Sequence, residues 1–179
     1  MIMDTTTDNA DQLFEAGYYC AETVLLTIAS EEGISSDLIP AIATGFCSGI
    51  ARTSQMCGAL SGGILALNMI YGRRSVNDSV TQNYTVVQKL LKEFKEKFGS
   101  QNCGELLGCD LATRKGQKEF LERELYQDCQ RYSRETAAMV RMIIDQQPFE
   151  NQPHESSTNS CKPREEEVNS CRAPVESKG

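Results

Sequence analysis

The 179-residue chain has no tryptophan and a single histidine, His154, and four of its five prolines fall at or after Pro148. These scarcities exclude a good deal. With His154 so near the C-terminus, the preceding chain can build no Cys–His dyad, no Ser–His–Asp triad and no His-rich metal site. Basic residues are also scarce. Eighteen Lys and Arg stand against 25 Asp and Glu, a net charge of −7, and that balance argues against nucleic acid as a partner, because phosphate recognition needs a basic surface. Long apolar runs are missing too. The longest nearly apolar stretch, Ile64 to Ile70, is far too short to span a bilayer. The opening Met-Ile-Met-Asp-Thr-Thr-Thr-Asp has neither the basic region nor the apolar region of a secretory signal. The expectation is a soluble, cytoplasmic protein with no membrane insertion.

What the chain does have is sulfur. Its eight cysteines are too sparse for a disulfide scaffold, and the chain is long enough to build a core without staples. In a reducing compartment, clustered cysteines point to redox chemistry or metal binding.

Composition divides the chain into two parts. Residues 1–146 carry helical periodicity throughout, and residues 147–179 carry prolines, charges, Ser and Asn with almost no large apolar side chains. Such a segment buries too little surface to offset its ordering entropy, so a disordered tail is expected there. It contains Asn-Ser-Cys followed by a basic residue twice, around Cys161 and Cys171, ten residues apart. That is either local duplication or a tethered pair of accessible thiols.

In the first part Leu13, Gly17, Cys20, Val24 and Ile28 lie at helical spacing and predict one helix over about 9–32. A second is expected over 37–44, with Ser36 as cap and Pro40 in its first turn. A Gly/Ser-rich stretch over 45–54 leads to an apolar helix over 55–71. A further helix carries Val87, Leu90, Leu91, Phe94 and Phe98 and stops at Gly99. A short helix follows at 103–107, and a last helical region at 117–146 breaks near Tyr126. Its apolar stripe is Phe120, Leu121, Leu125, Cys129, Tyr132, Met139, Val140 and Ile143. No strand pattern of useful length appears. The expected fold is all-α, a compact bundle of four to five main helices.

Among the cysteines, Cys57 is the first candidate for reactivity. With Ser54 as N-cap it would sit in the first helical turn, where free N–H groups and the helix dipole favour a thiolate. The plainer alternative is a small side chain packed between helices. Cys103, behind an Asn102/Glu105 capping pattern, would open the short helix that Gly108 and Cys109 close. Cys20 and Cys129 fall on apolar stripes. Cys47, ten residues before Cys57, could serve as a resolving partner.

These segments also resemble a known family. Gly17-Tyr18-Tyr19-Cys20-Ala21, then Gly45-Phe46-Cys47-Ser48-Gly49 leading into Cys57-Gly58-Ala59-Leu60-Ser61-Gly62, then Cys103-Gly104-Glu105-Leu106-Leu107-Gly108-Cys109-Asp110, and finally Cys129 are similar to the C-GCAxxG-C-C family of small, all-helical prokaryotic redox-active proteins. The resemblance spans about residues 10–145. It implies redox activity through cysteines, and a related domain occurs in a multihaem cytochrome with an iron–sulfur centre. Carried over by position, Cys20, Cys57, Cys103 and Cys129 match the four-cysteine pattern, with Cys109 the alternative fourth. Cys47, Ala51 and Ser54 depart from it, standing where glycine is usual.

Three functions compete. The first is thiol–disulfide exchange, the work of an oxidoreductase, in which Cys57 attacks and Cys103 or Cys20, then Cys47, resolves. Its partner would be a redox protein or a small thiol or disulfide. The second is an iron–sulfur or other metal site held by Cys20, Cys57, Cys103 and either Cys129 or Cys109. The third is a helical interaction domain whose cysteines are only small buried residues.

Overall fold

A computed structural model describes residues 2–147, so the tail thiols Cys161 and Cys171 lie outside the described residues. The architecture is all-helical: α1 (Ile2–Glu15), α2 (Cys20–Glu31), a 3₁₀ turn (Ala41–Phe46), α3 (Cys47–Ile50), α4 (Gly58–Tyr71), α5 (Thr81–Phe98), α6 (Cys103–Leu107), α7 (Arg114–Glu122) and α8 (Tyr126–Gln146). The sequence merges several of these pieces, so the expected four to five main helices are too few. No described helix is long and apolar enough to cross a membrane.

Helix α2 is the centre of the bundle. Cys20 to Leu25 and Thr27 to Ala29 are all buried, the signature of a helix surrounded by others rather than lying on a surface. It packs against α4, α1 and α8. Helix α4 comes close because its contact face is made of small residues. A Cβ at Gly62 would stand 2.5 Å from the Ala21 carbonyl oxygen and 2.8 Å from its Cα, so this face touches backbone. Helix α8 lies across α1, α2 and α4, and α5 closes the far side. There Phe94, Phe98 and Tyr132 stack edge-to-face, with ring centroids 4.7 and 4.9 Å apart.

The single helix expected over 9–32 is two. Gly17 takes φ +103°, a conformation other residues rarely adopt, and this turn frees Cys20 to open a new helix. The helix expected over 37–44 is instead a turn followed by the 3₁₀ segment, with Pro40 preceding it. The last region is broken as expected near Tyr126, at a turn through Glu124 with φ +52°. Leu121, assigned to the apolar stripe, is 69% exposed, because α7 is a separate helix with its own phase.

The least ordinary backbone joins Cys47 to Cys57. Ser48, Gly49, Ile50, Ala51 and Arg52 all have positive φ (57, 68, 58, 49 and 66°), as does Ser54 at 59°. This is a short left-handed turn closed by a hydrogen bond from Ala51 N–H to Cys47 C=O at 2.9 Å. Left-handed conformation costs an L-residue roughly 1–2 kcal/mol, and five of these six residues are not glycine. The surrounding packing has to impose it.

Candidate functional site: a cysteine-lined cavity

Cys57 does not sit in the first turn behind a Ser54 cap. It is itself the N-cap of α4, which starts at Gly58. Ser54 is occupied elsewhere: its hydroxyl donates to Asp110 Oδ1 at 2.8 Å and accepts from Leu111 N–H at 2.9 Å. Cys103 is the first residue of α6, as the sequence indicates, and Asn102 Oδ1 accepts from Glu105 N–H at 3.2 Å. The capping box is only half formed, because the Glu105 carboxylate accepts from Ser100 Oγ instead.

The segments carrying these two cysteines are joined directly. Met56 and Asn102 form an isolated antiparallel β-bridge. Cys57 N–H donates to Gln101 C=O at 2.8 Å, and Cys103 N–H donates to Gln55 C=O at 2.7 Å. Each cysteine directly follows its bridge residue, so both point to the face opposite Met56 and Asn102. Residues in this diagonal relation are separated by about 7–8 Å, just beyond the reach of a disulfide, about 7 Å between alpha carbons, so closing one needs a small backbone shift.

A second pair forms at the start of α2. Cys20 opens this helix, and Cys47 lies against it from the left-handed turn. Hydrogen bonding with the Cys20 sulfur, then burial, pushes the Cys47 thiol well above its ordinary value, against the smaller pull of the Glu22 and Ala21 backbone N–H groups. Cys47 Sγ also donates weakly to the Ala43 carbonyl at 3.7 Å. Gly58 connects the pairs, since a Cβ there would collide with Cys20 Sγ and lie 3.2 Å from Cys47 Cα.

Cys20, Cys47, Cys57, Cys103 and Cys129 all line one cavity of about 640 Å³. Cys109, though buried, is absent from its walls. The remaining walls are chiefly aromatic and aliphatic, among them Phe14, Tyr18, Tyr19, Phe120, Tyr126 and Tyr132. The sequence reading missed these rings, because they come from four separate elements and carry no shared spacing.

The electrostatics overturn the expected Cys57 thiolate. Burial pushes this thiol up to about 12, and the Ala59 and Leu60 backbone N–H groups only partly offset it, while the nearby Cys103 adds to the rise. Burial likewise raises Cys103 to about 11, with a contribution from Cys109. Cys129 is driven well above its usual value by burial and then by Cys57 and Cys103. The free N–H groups of a helix start are present, but desolvation outweighs them. In the resting protein these are thiols.

Among the described residues, no group of three or more His, Cys, Asp or Glu side chains is disposed to hold a metal ion. Cys20 engages Cys47, whereas Cys57, Cys103 and Cys129 act on one another.

Fold and site together define an all-helical protein with its cysteines gathered around one apolar cavity. Residues 18–143 match the family described as "Putative redox-active protein (C_GCAxxG_C_C)", and the chain belongs to that family. It is also 31% identical, over 96 residues, to an uncharacterized protein of Archaeoglobus fulgidus. That match covers 49% of this chain and 64% of the relative. No solved structure matches the chain.

Proposed function

We propose that the protein carries out thiol–disulfide exchange, with Cys57 and Cys103 as the exchanging pair and a small organic disulfide entering the cavity as substrate. The observation that carries this reading is the Met56–Asn102 bridge, which holds two cavity-facing thiols diagonally across one pairing. A lone β-bridge in an all-helical protein adds little to stability. Its effect is to register Cys57 against Cys103.

The steps balance. Cys57 gives its proton to water, and the thiolate attacks one sulfur of the substrate disulfide. The S–S bond breaks, a mixed disulfide forms, and the departing thiolate takes a proton from water. Cys103 then loses its proton and attacks Cys57 Sγ, which releases the second substrate thiol and leaves a Cys57–Cys103 disulfide. Two electrons pass from the protein dithiol to the substrate, and an external dithiol returns them. Cys20, whose sulfur lies against Gly58, is the second candidate resolver.

The test is to trap the intermediate. Reduced Cys103→Ser is mixed with bis(2-hydroxyethyl) disulfide at pH 9 and its tryptic peptides are examined by mass spectrometry. The expected product is a mixed disulfide on Cys57, and the unaltered protein should yield a Cys57–Cys103 disulfide instead. Unmodified Cys57 in the variant, or random pairing in the parent, would overturn the reading.

A further inference from the structure

We infer that Arg52 selects the substrate of this cavity, and that the preferred substrate is a small organic disulfide with an apolar body and one anionic group. This rests on the exchange reading above and adds the chemical class of the molecule exchanged.

The argument begins with charge. Among the described residues that line the cavity, Arg52 alone is charged. The whole protein is acidic, with 25 Asp and Glu against 18 Lys and Arg, whereas the described cavity lining holds one cation and no acid. Nor is Arg52 committed elsewhere. Of the seven other arginines among the described residues, four are engaged, Arg123 with Glu119, Arg131 with Asp128, Arg134 with Asp11, and Arg141 with Glu32 and Asp145, while Arg73, Arg74 and Arg114 lie away from the cavity lining. Arg52 has no ion pair or side-chain hydrogen bond among the described residues. The buried acid Glu22 is satisfied by Thr44 Oγ1 at 2.6 Å and Tyr19 N–H at 2.9 Å.

Backbone geometry points the same way. Arg52 ends the run of left-handed residues, with φ +66°. Holding a long side chain in that conformation is unfavourable by roughly 1–2 kcal/mol, and such strain collects where a side chain must be aimed. The same cavity is lined by five cysteines and by aromatic and aliphatic side chains, and Arg52 is exposed where four of those five cysteines are buried. A volume of about 640 Å³ falls within the range that holds a small ligand. An apolar enclosure with thiols at its floor and one guanidinium at its rim complements a molecule with sulfur at one end, hydrocarbon between, and a carboxylate or similar anion at the other. Lipoic acid has this layout and serves as the probe. On reaction its ring S–S bond opens to two thiols, while Cys57 and Cys103 give up two protons and two electrons.

The experiment uses the full reduced chain and measures binding by calorimetry as well as reduction. Two pairs of probes differ only in charge: lipoic acid against lipoamide, and octanoate against octanamide. We expect the anion of each pair to bind more tightly by on the order of tenfold, the scale of one charge-assisted hydrogen bond. Arg52→Gln should abolish this preference while leaving the affinity for lipoamide and octanamide unchanged, and Arg52→Lys should restore part of it. Equal affinity within each pair, no binding by any probe, or a preference that survives in Arg52→Gln would overturn the inference. The octanoate pair holds no sulfur, so it separates the two readings. If lipoic acid goes unreduced while octanoate keeps an Arg52-dependent advantage, exchange fails and the anion selectivity stands.

Discussion

Gly58 and Cys20 share a space that only one of them can fill: a side-chain carbon at position 58 would enter the van der Waals shell of the Cys20 sulfur and stand 3.1 Å from the Phe46 carbonyl oxygen. The glycine that follows Cys57 is therefore a requirement of the thiol opposite it. Gly62, one turn later, clears the backbone of Ala21 in the same way. The two glycines of the Cys-Gly-Ala-x-x-Gly segment seat α4 on the cysteine-bearing start of α2.

Gly58→Ala should therefore destabilise the fold by about 1–3 kcal/mol, the ordinary range for overpacking, and should displace Cys20. Gly62→Ala should cost a similar amount without touching a thiol. Urea denaturation compares the two stabilities. Alkylation of Cys20 should change only in the first variant.

The pH dependence of Cys57 has a definite sign. Its thiol is raised to about 12, so at pH 7 the thiolate is scarce and iodoacetamide labelling should be slow. The rate should climb about tenfold per pH unit through the alkaline range. A plateau near pH 7, as a helix-stabilised thiolate would give, would contradict the burial argument. Stability follows by linkage. A thiol whose folded value exceeds its unfolded value contributes stability fully below the ordinary cysteine range, and that contribution is lost as pH rises through the folded value of about 12. Cys103, raised to about 11, acts in the same direction, so the denaturation midpoint should fall between pH 9 and pH 11.

The left-handed turn predicts a stabilising substitution. Ala51 is exposed and has φ 49° and ψ 45°. Ala51→Gly relieves strain without removing packing, and should add about 1 kcal/mol. Ala66, fully buried within α4, supplies the contrast, since Ala66→Gly should destabilise by about 1 kcal/mol or more. Chemical denaturation of both variants checks the opposite signs.

Asn102 has two roles, one through its side chain and one through its backbone, and a side-chain substitution removes only the first. It caps α6 through Glu105 N–H and forms the bridge with Met56. Asn102→Ala should lose about 1 kcal/mol for the cap. The bridge hydrogen bonds join main-chain groups of Cys57 and Gln101 and of Cys103 and Gln55, so they survive this substitution, and disulfide formation between Cys57 and Cys103, followed by mass spectrometry under mild oxidation, should keep its rate. A slowed oxidation would show that the cap as well as the bridge sets the register.

Much of the helical content was legible in the chain because apolar spacing and stop residues are local signals. Gly99 ends α5 with φ +86°, and Asn102 begins α6, where their residue types indicate. Errors arose where a tertiary contact overrode a local preference. Ser54 has the chemistry of a helix cap but turns to Asp110 and Leu111, leaving Cys57 to start α4. Leu121 has the hydrophobicity of a core residue but lies on the open side of a short helix. Ala51 and Ser54, at places where glycine is usual in the resembled family, were a visible sign that the loop was unusual. The direction of its handedness was not visible, because five consecutive left-handed residues belong to no common sequence pattern.

By itself the sequence determined the helical class, the exclusion of histidine chemistry from the described residues, and the cysteine spacing that marks the family, all of which depend on composition and on neighbours a few positions apart. Only the tertiary structure decided that Cys57 lies diagonal to Cys103, that Cys20 engages Cys47, that Cys109 is kept from the cavity wall, and that Arg52 is the one charged side chain among the described residues of that wall. It also reversed the expected ionisation of Cys57. A helix start favours negative charge through groups within one turn, whereas desolvation sums over every element packed around the sulfur, and that sum exists only once the chain has folded.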